Sequence, residues 1–235
     1  MATLNMNGYE KRLLAIEKMV LEDIEIITLQ ETHKTWVGNV KRKGYLTFES
    51  TSVSEPRRGV ALLIKEGIFD EVKTAVRHLG SEIFVTAKLD KLVFLIGSVH
   101  IHFEKREYDL NALADFMCKR KEPFRLVAGD FNTDVQKEEE GELMKEGLLP
   151  KGCGIMSMFL QKTSMVCGRY TDLTWTKGDN TYDYILVSAE MSDKLQFTCV
   201  RLDVQSSDLH TAQAMMEIDV ASEQVNQYIC EKLTR

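Results

Sequence analysis

The chain is 235 residues long, enough to bury a substantial core, and its 44% hydrophobic and 28% charged residues are ordinary for a soluble globular protein. A net charge of −6 argues against a protein held on nucleic acid by bulk charge alone, although carboxylates gathered around a divalent cation also make a sequence acidic. No apolar run approaches the roughly 18 residues needed to cross a membrane, and the first ten residues lack the basic-then-apolar pattern of a secretory signal.

Taken in chain order, "MATLNMNG" (1–8) reads as a short strand ending in polar residues and a glycine. The following "YEKRLLAIEKMVLED" places Leu13, Leu14, Ile16, Val20 and Leu21 near helical spacing. "IEIITLQET" (24–32) is a β-branched buried strand. "GVALLIK" (59–65), "IFVTAKL" (83–89) and "LVFLIGSVHIHF" (92–103) give three more strands. "REYDLNALADFMCKRK" (106–121) is a second amphipathic helix, with Leu110, Leu113, Ala114 and Met117 on one side. The next strand is "FRLVAGDFN" (124–132); residues 134–165 show no clear pattern, which suggests a functional loop or a missed helix. "DLTWT", "YDYILVS", "FTCVRLDV" and "TAQAMMEIDV" close the series as strands, and 221–235 carries a weak helical pattern.

Many strands with few long helices do not suit a doubly wound parallel sheet. The expected fold is α/β: two sheets packed face to face, with helices outside. With three prolines and no linker-like segment, residues 1–220 are expected to form one domain with 221–235 as a tail. The five cysteines show no C-x-x-C spacing and read as reduced thiols of an intracellular protein, nuclear or cytoplasmic.

Several strands end in a polar residue capable of chemistry. Asn5 and Asn7 end the first, Gln30 and Glu31 the second, and His100 and His102 the long central one; His100 and His102, at i and i+2, are expected to share a face. Asp130 and Asn132 end "LVAGDFNT", Asp183 interrupts "YDYILVS", and Asp208 and His210 open the last strand. The inventory is rich in oxygen donors, which select Mg²⁺, Mn²⁺ or Ca²⁺ over Zn²⁺. Asp183, flanked by Tyr182 and Tyr184 in an apolar run, needs a partner. The basic groups "KRKG" (41–44) and "EPRRG" (55–59, with Arg57 and Arg58) can meet phosphates, and Trp175 and the aromatic segment "KGYLTFE" can contact a duplex or a displaced base.

The order "TLNMNG", "LQET", "GVALLIK", "SVHIHF", "AGDFNT", "YDYILVS", "SDLH" resembles the endonuclease/exonuclease/phosphatase (DNase I-like) superfamily from about residue 2 to 220. "LNMNG" and "LQETH" are most similar to the abasic-site and non-LTR retrotransposon endonucleases. The resemblance implies a four-layered α/β sandwich and a Mg²⁺-dependent (or Mn²⁺-dependent) endonuclease that hydrolyses DNA; a place within a larger polyprotein is also implied, since retrotransposon endonucleases are domains of one. By motif, Glu31 becomes the principal metal ligand, with Asn5 and Asp208 also assigned to the metal. Asp130 orients or deprotonates the attacking water, Asn132 holds a phosphate oxygen, Asp183 orients a catalytic histidine, and His100 and His210 act in catalysis. Asn7, Arg57, Arg58 and Trp175 are left for substrate.

Two departures are visible. The abasic-site and retrotransposon enzymes usually carry Tyr where His100 stands, and the usual Ser-Asp-His is here Ser207-Asp208-Leu209-His210. Unless a β-bulge absorbs one residue, Leu209 changes how His210 is presented. Two other readings therefore stay open: a phosphoesterase acting on RNA, a nucleotide or a lipid headgroup, and a non-catalytic binding domain on the same fold.

Overall fold

The computed structural model describes residues 1–6, 13–32, 42–51, 59–78, 81–134, 154–167, 182–206 and 209–216. The strands are β1 (Ala2–Asn5), β2 (Ile26–Gln30), β3 (Tyr45–Thr51), β4 (Gly59–Lys65), β5 (Glu71–His78), β6 (Glu82–Leu89), β7 (Leu92–His100), β8 (Phe124–Asp130), β9 (Met165–Cys167), β10 (Asp183–Ser188), β11 (Leu195–Ser206) and β12 (Leu209–Met216). The helices are α1 (Leu13–Leu21), α2 (Arg106–Lys119) and α3 (Ile155–Thr163), with short 3₁₀ turns at Phe103–Lys105 and Ala189–Lys194.

These strands make two six-stranded sheets, ordered β11-β12-β1-β2-β4-β3 and β5-β6-β7-β8-β10-β9. Each sheet is antiparallel except for one central pair: β1 with β2, and β7 with β8. A parallel pair needs a crossover, and the chain supplies a helix each time, α1 and α2. Both polar strand ends of each parallel pair therefore emerge at the same edge of their sheet.

Strand alternation sorts the apolar residues into layers. Ile26, Val60, Leu62 and Ile64 of the first sheet meet Ile83, Val85, Phe94, Ile96, Leu126 and Val187 of the second. The opposite faces pack on helices: Leu4, Ile27, Leu29 and Leu63 against Ala15, Ile16 and Met19 of α1, and Leu95, Val99, Val127 and Leu186 against Leu110, Leu113, Met117 and Met156 of α2 and α3. The result is helix, sheet, sheet, helix, the four-layered sandwich expected from the sequence. The periodicity of 106–121 also predicts its buried face, since Leu110, Leu113, Ala114 and Met117 are the buried residues of α2.

The strands β3, β5 and β9 are not expected from the sequence, and two other segments are settled by the fold. β3 and β5 lack clean alternation and are edge strands, where charged residues such as Glu71 and Lys73 are tolerated and keep the edge from pairing further. The unpatterned 134–165 stretch contains α3. "KGYLTFE" is not a contact platform: Tyr45 is buried and its hydroxyl donates to Ile24 O at 2.7 Å, while Phe48 packs against the inter-sheet core. The "DLTWT" strand and the 221–235 tail lie outside the described residues.

Candidate active site

Toward the ends of the parallel strands the inter-sheet layer changes from apolar to polar. Thr3 Oγ1 donates to Gln30 Oε1 at 3.1 Å, Gln30 Nε2 donates to Ser98 Oγ at 3.3 Å, and Ser98 Oγ donates to Leu29 O at 3.3 Å. All four residues are fully buried, so this chain of bonds fastens the first sheet to the second immediately below the site.

Above the bridge, register sets the next row. His100 is level with Asp130, and Asp130 with Asp183. Side chains level on adjacent strands share a face, so β7, β8 and β10 present a histidine and two carboxylates toward the first sheet. Asn5 and Glu31 come from the opposite sheet. Asn5 Nδ2 lies 3.0 Å from Glu31 Oε1 and 2.8 Å from Asp130 Oδ2, donating to both. His100 Nε2 is 3.7 Å from Glu31 Oε1. One donor atom from each of Glu31, His100 and Asp130 lies within 4.8 Å of the others.

Local backbone conformation aims these groups. Glu31, with φ of 50°, leaves β2 in the left-handed region, a costly choice for a non-glycine residue and one that turns its side chain out of strand alternation. Asn132 is also left-handed at 47°, which asparagine tolerates; its backbone N–H donates to Asp130 Oδ1 at 2.9 Å. Its side chain donates from Nδ2 to Ile101 O at 2.8 Å. Gly129 permits the close packing of β8 on β7: a Cβ there would stand 1.9 Å from Val99 O, and its φ of 154° disfavours any side chain. The glycine, aspartate and asparagine of "AGDFNT" thus have separate jobs: approach, charge and turn.

Burial pushes the Asp130 carboxyl above its ordinary range, opposed by the charge of His100, the Asn5 hydrogen bond and the Asn132 N–H, and reinforced by Glu31. Two acids this close, one of them buried, call for a cation. His100 Nδ1 is buried with no hydrogen-bond partner among the described residues. The donor set fits a hard divalent ion held by Glu31, Asp130 and His100, with the Asn5 side chain bracing both carboxylates.

Of the residues singled out in the sequence, the fold brings Asn5, Glu31, His100, Asp130 and Asp183 to one edge of the cleft. Asp130 and His100, assigned from sequence to acid–base work alone, also belong to the cluster that can hold a metal. His102 does not continue the face of His100, because β7 ends at His100; the His102 N–H donates instead to Asp109 Oδ2 at 3.2 Å. In the "KRKG" run, Arg42 is ion-paired with Glu17 at 2.8 Å. Asn7, Arg57, Arg58, Trp175 and Asp208 lie outside the described residues. His210 is placed by its backbone alone, on β12, which pairs with β1 as Ala2↔Gln213 and Thr3↔Ala212. The β11–β12 pairing shifts register between Arg201 and Ser206, the kind of irregularity that absorbs extra residues. Sequence reasoning left Thr3 and Ser98 out of the site's support; only their burial opposite Gln30 reveals them.

The model of the Endonuclease/Exonuclease/phosphatase family matches residues 2–204. Among solved structures, an AP endonuclease, LMAP, from Leishmania major superimposes with a TM-score of 0.73 at 14% identity, over 93% of this chain and 87% of that one. The endonuclease domain of TRAS1, a telomere-specific non-LTR retrotransposon, superimposes with a TM-score of 0.71 at 16% identity, over 90% of this chain and 94% of that one. No curated protein sequence matches.

Proposed function

The chain belongs to the endonuclease/exonuclease/phosphatase family, and on that premise we propose that it is a divalent-metal-dependent endonuclease hydrolysing DNA phosphodiester bonds. The observation that carries the proposal is the convergence of Glu31, His100 and Asp130 within 4.8 Å, at the C-terminal ends of parallel strands from two sheets. Ligand sites in sheets with parallel strands favour this position. The two solved endonucleases of the same fold support a nucleic-acid substrate, and the TRAS1 domain supports a place within a larger polyprotein.

Phosphodiester hydrolysis needs an in-line water, a base to take its proton, positive charge facing the phosphoryl oxygens, and cleavage of the opposite P–O bond, whose departing alkoxide takes up a proton from solvent. Glu31, Asp130 and His100 would hold Mg²⁺ or Mn²⁺, which when bound acts as a Lewis acid offsetting the charge of the reacting phosphate. Asp130 is assigned to the proton of the attacking water, and Asn5 fixes its second oxygen. Asn132, with one amide N–H committed to Ile101 O, offers the other to a phosphate oxygen. Asp183, fully buried and level with Asp130, supplies negative charge behind the row. His210, on β12 of the first sheet, is assigned to a phosphate oxygen by the motif it shares with Asp208 in the sequence.

The test is nicking of supercoiled plasmid in Mg²⁺ and in EDTA by the wild type and Glu31→Ala. Metal-dependent nicking lost in the variant supports the proposal. No nicking by folded, metal-supplied protein rejects it and turns attention to bis(p-nitrophenyl) phosphate and other phosphoesters.

A further inference from the structure

Immediately after the site strand the chain forms a second feature that the hydrolytic chemistry does not use. The turn Phe103–Lys105 and the first turns of α2 line an open groove of about 680 Å³. Phe103 and Tyr108 stand at its walls, 58% and 70% exposed, large aromatic areas left facing water. The Arg106 guanidinium lies over the Phe103 ring, 5.0 Å from its centroid, a stacked pair that stiffens the aromatic wall. Glu104, Glu107 and Asn111 supply the polar lining.

We propose that this groove is a nucleobase subsite that takes an unpaired base of the strand being cut; the proposal rests on the endonuclease reading and specifies its substrate. The lining suits a base better than a run of phosphates. Glu104 and Glu107 offset Lys105 and Arg106, so among the described residues no net positive charge is presented to the backbone. The carboxylates accept hydrogen bonds from exocyclic amino groups, and the Asn111 amide both donates and accepts along a base edge. Tyr108 and Phe103 offer flat faces on which a base stacks with little regard to its identity.

Position ties the groove to the site. Phe103 follows His100 by three residues, so their Cα atoms are no more than about 10 Å apart even in a fully extended chain. The α2 start is also fastened to the strand end, because Asp109 accepts the His102 N–H. A nucleotide adjoining the scissile phosphate therefore comes within reach. In an intact duplex that base is already stacked and paired, and the aromatic walls gain nothing from it until it is displaced.

The experiment uses an oligonucleotide carrying 2-aminopurine, as a single strand and as a blunt duplex of the same sequence, titrated in EDTA so that the reading needs no hydrolysis. The wild type is expected to bind the single strand more tightly and to quench its emission by stacking. Phe103→Ala combined with Tyr108→Ala should weaken single-strand binding about tenfold and duplex binding by much less, and Phe103→Trp should retain it. Equal binding of the two forms by the wild type, or equal loss on both in the double variant, overturns the proposal. Both truncated side chains are exposed, and matching thermal melts confirm that the variants are folded. Plasmid nicking is run beside it: discrimination between the DNA forms without nicking upholds the groove and rejects the hydrolytic reading, whereas nicking without discrimination does the reverse.

Discussion

Asn5 and Asp130, 125 residues apart in sequence and in different sheets, are joined by a 2.8 Å hydrogen bond across the cleft. The same Asn5 amide nitrogen reaches Glu31 at 3.0 Å, so one buried side chain sets the spacing of the two carboxylates that the proposed chemistry needs. Asn5→Ala should leave both acids without that donor. Hydrogen bonds to charged groups are worth about 1.5–3 kcal/mol, and a loss of that order is expected in urea unfolding without metal. An unchanged midpoint and unchanged nicking rate would show that the amide bridges nothing of consequence.

Glu31→Gln and Asp130→Asn keep shape and remove charge. Each is expected to lower metal-dependent nicking by about two orders of magnitude or more. Each should also abolish the rise in melting temperature that Mg²⁺ gives the wild type, since a ligand that binds the folded state stabilises it. A full Mg²⁺-induced rise in the Glu31 variant would place the metal elsewhere.

Gln30 is the centre of the inter-sheet polar bridge, between Thr3 and Ser98. Gln30→Leu fills similar space but strands the Thr3 hydroxyl and breaks the bond to Ser98. The expected cost is about 1–3 kcal/mol for buried polar groups left unpaired. Activity should fall as well, because Glu31 follows Gln30 directly. Removing all three polar groups together, as Thr3→Val, Gln30→Leu and Ser98→Ala, should recover stability but not activity. Recovery of both would reduce the bridge to ordinary packing.

Glu82 gives a pH dependence separate from the site. Burial, helped by the charge of Asp109, pushes its carboxyl from near 4.5 up to about 8. Between these values the folded protein holds a proton that the unfolded chain has lost, so stability falls as pH rises through the window and levels off above it. The effect is of the order of a few kcal/mol. Glu82→Gln, which stays neutral, should flatten unfolding free energy against pH between about 5 and 8. An unaltered slope in the variant would assign the dependence to other groups.

Gly129→Ala tests the approach of β8 to β7. The added methyl would meet the Val99 carbonyl at 1.9 Å, and backbone cannot rotate aside as a side chain can. A loss of more than about 2 kcal/mol, or failure to accumulate as folded protein, is expected. A melting temperature within a degree or two of the wild type would mean that the strands separate readily.

Much of this was legible in the sequence because the signals are local. Continuous β-branched and apolar runs marked the central strands, 3.6-residue spacing marked α1 and α2, and the polar ends at Asn5, Glu31, His100 and Asp130 stood out against those runs. The edge strands β3 and β5 were missed, since a strand with one free edge and charged residues need not alternate cleanly. Helix α3 was missed because its 134–165 neighbourhood is dominated by residues with no helical pattern, although Met156, Phe159 and Thr163 are buried at helical spacing. His102 was grouped with His100 by carrying strand alternation one turn too far.

The sequence by itself determined which residues sit at strand ends and which face of each element is apolar, because both follow from the fixed geometry of the backbone over a few residues. Only the tertiary structure decided that Asn5 bridges Glu31 and Asp130, that Thr3, Gln30 and Ser98 tie the sheets together, and that Phe103 and Tyr108 remain exposed beside the site. Those relations depend on the register of strands far apart in sequence and on how two sheets pack, and no local period encodes either.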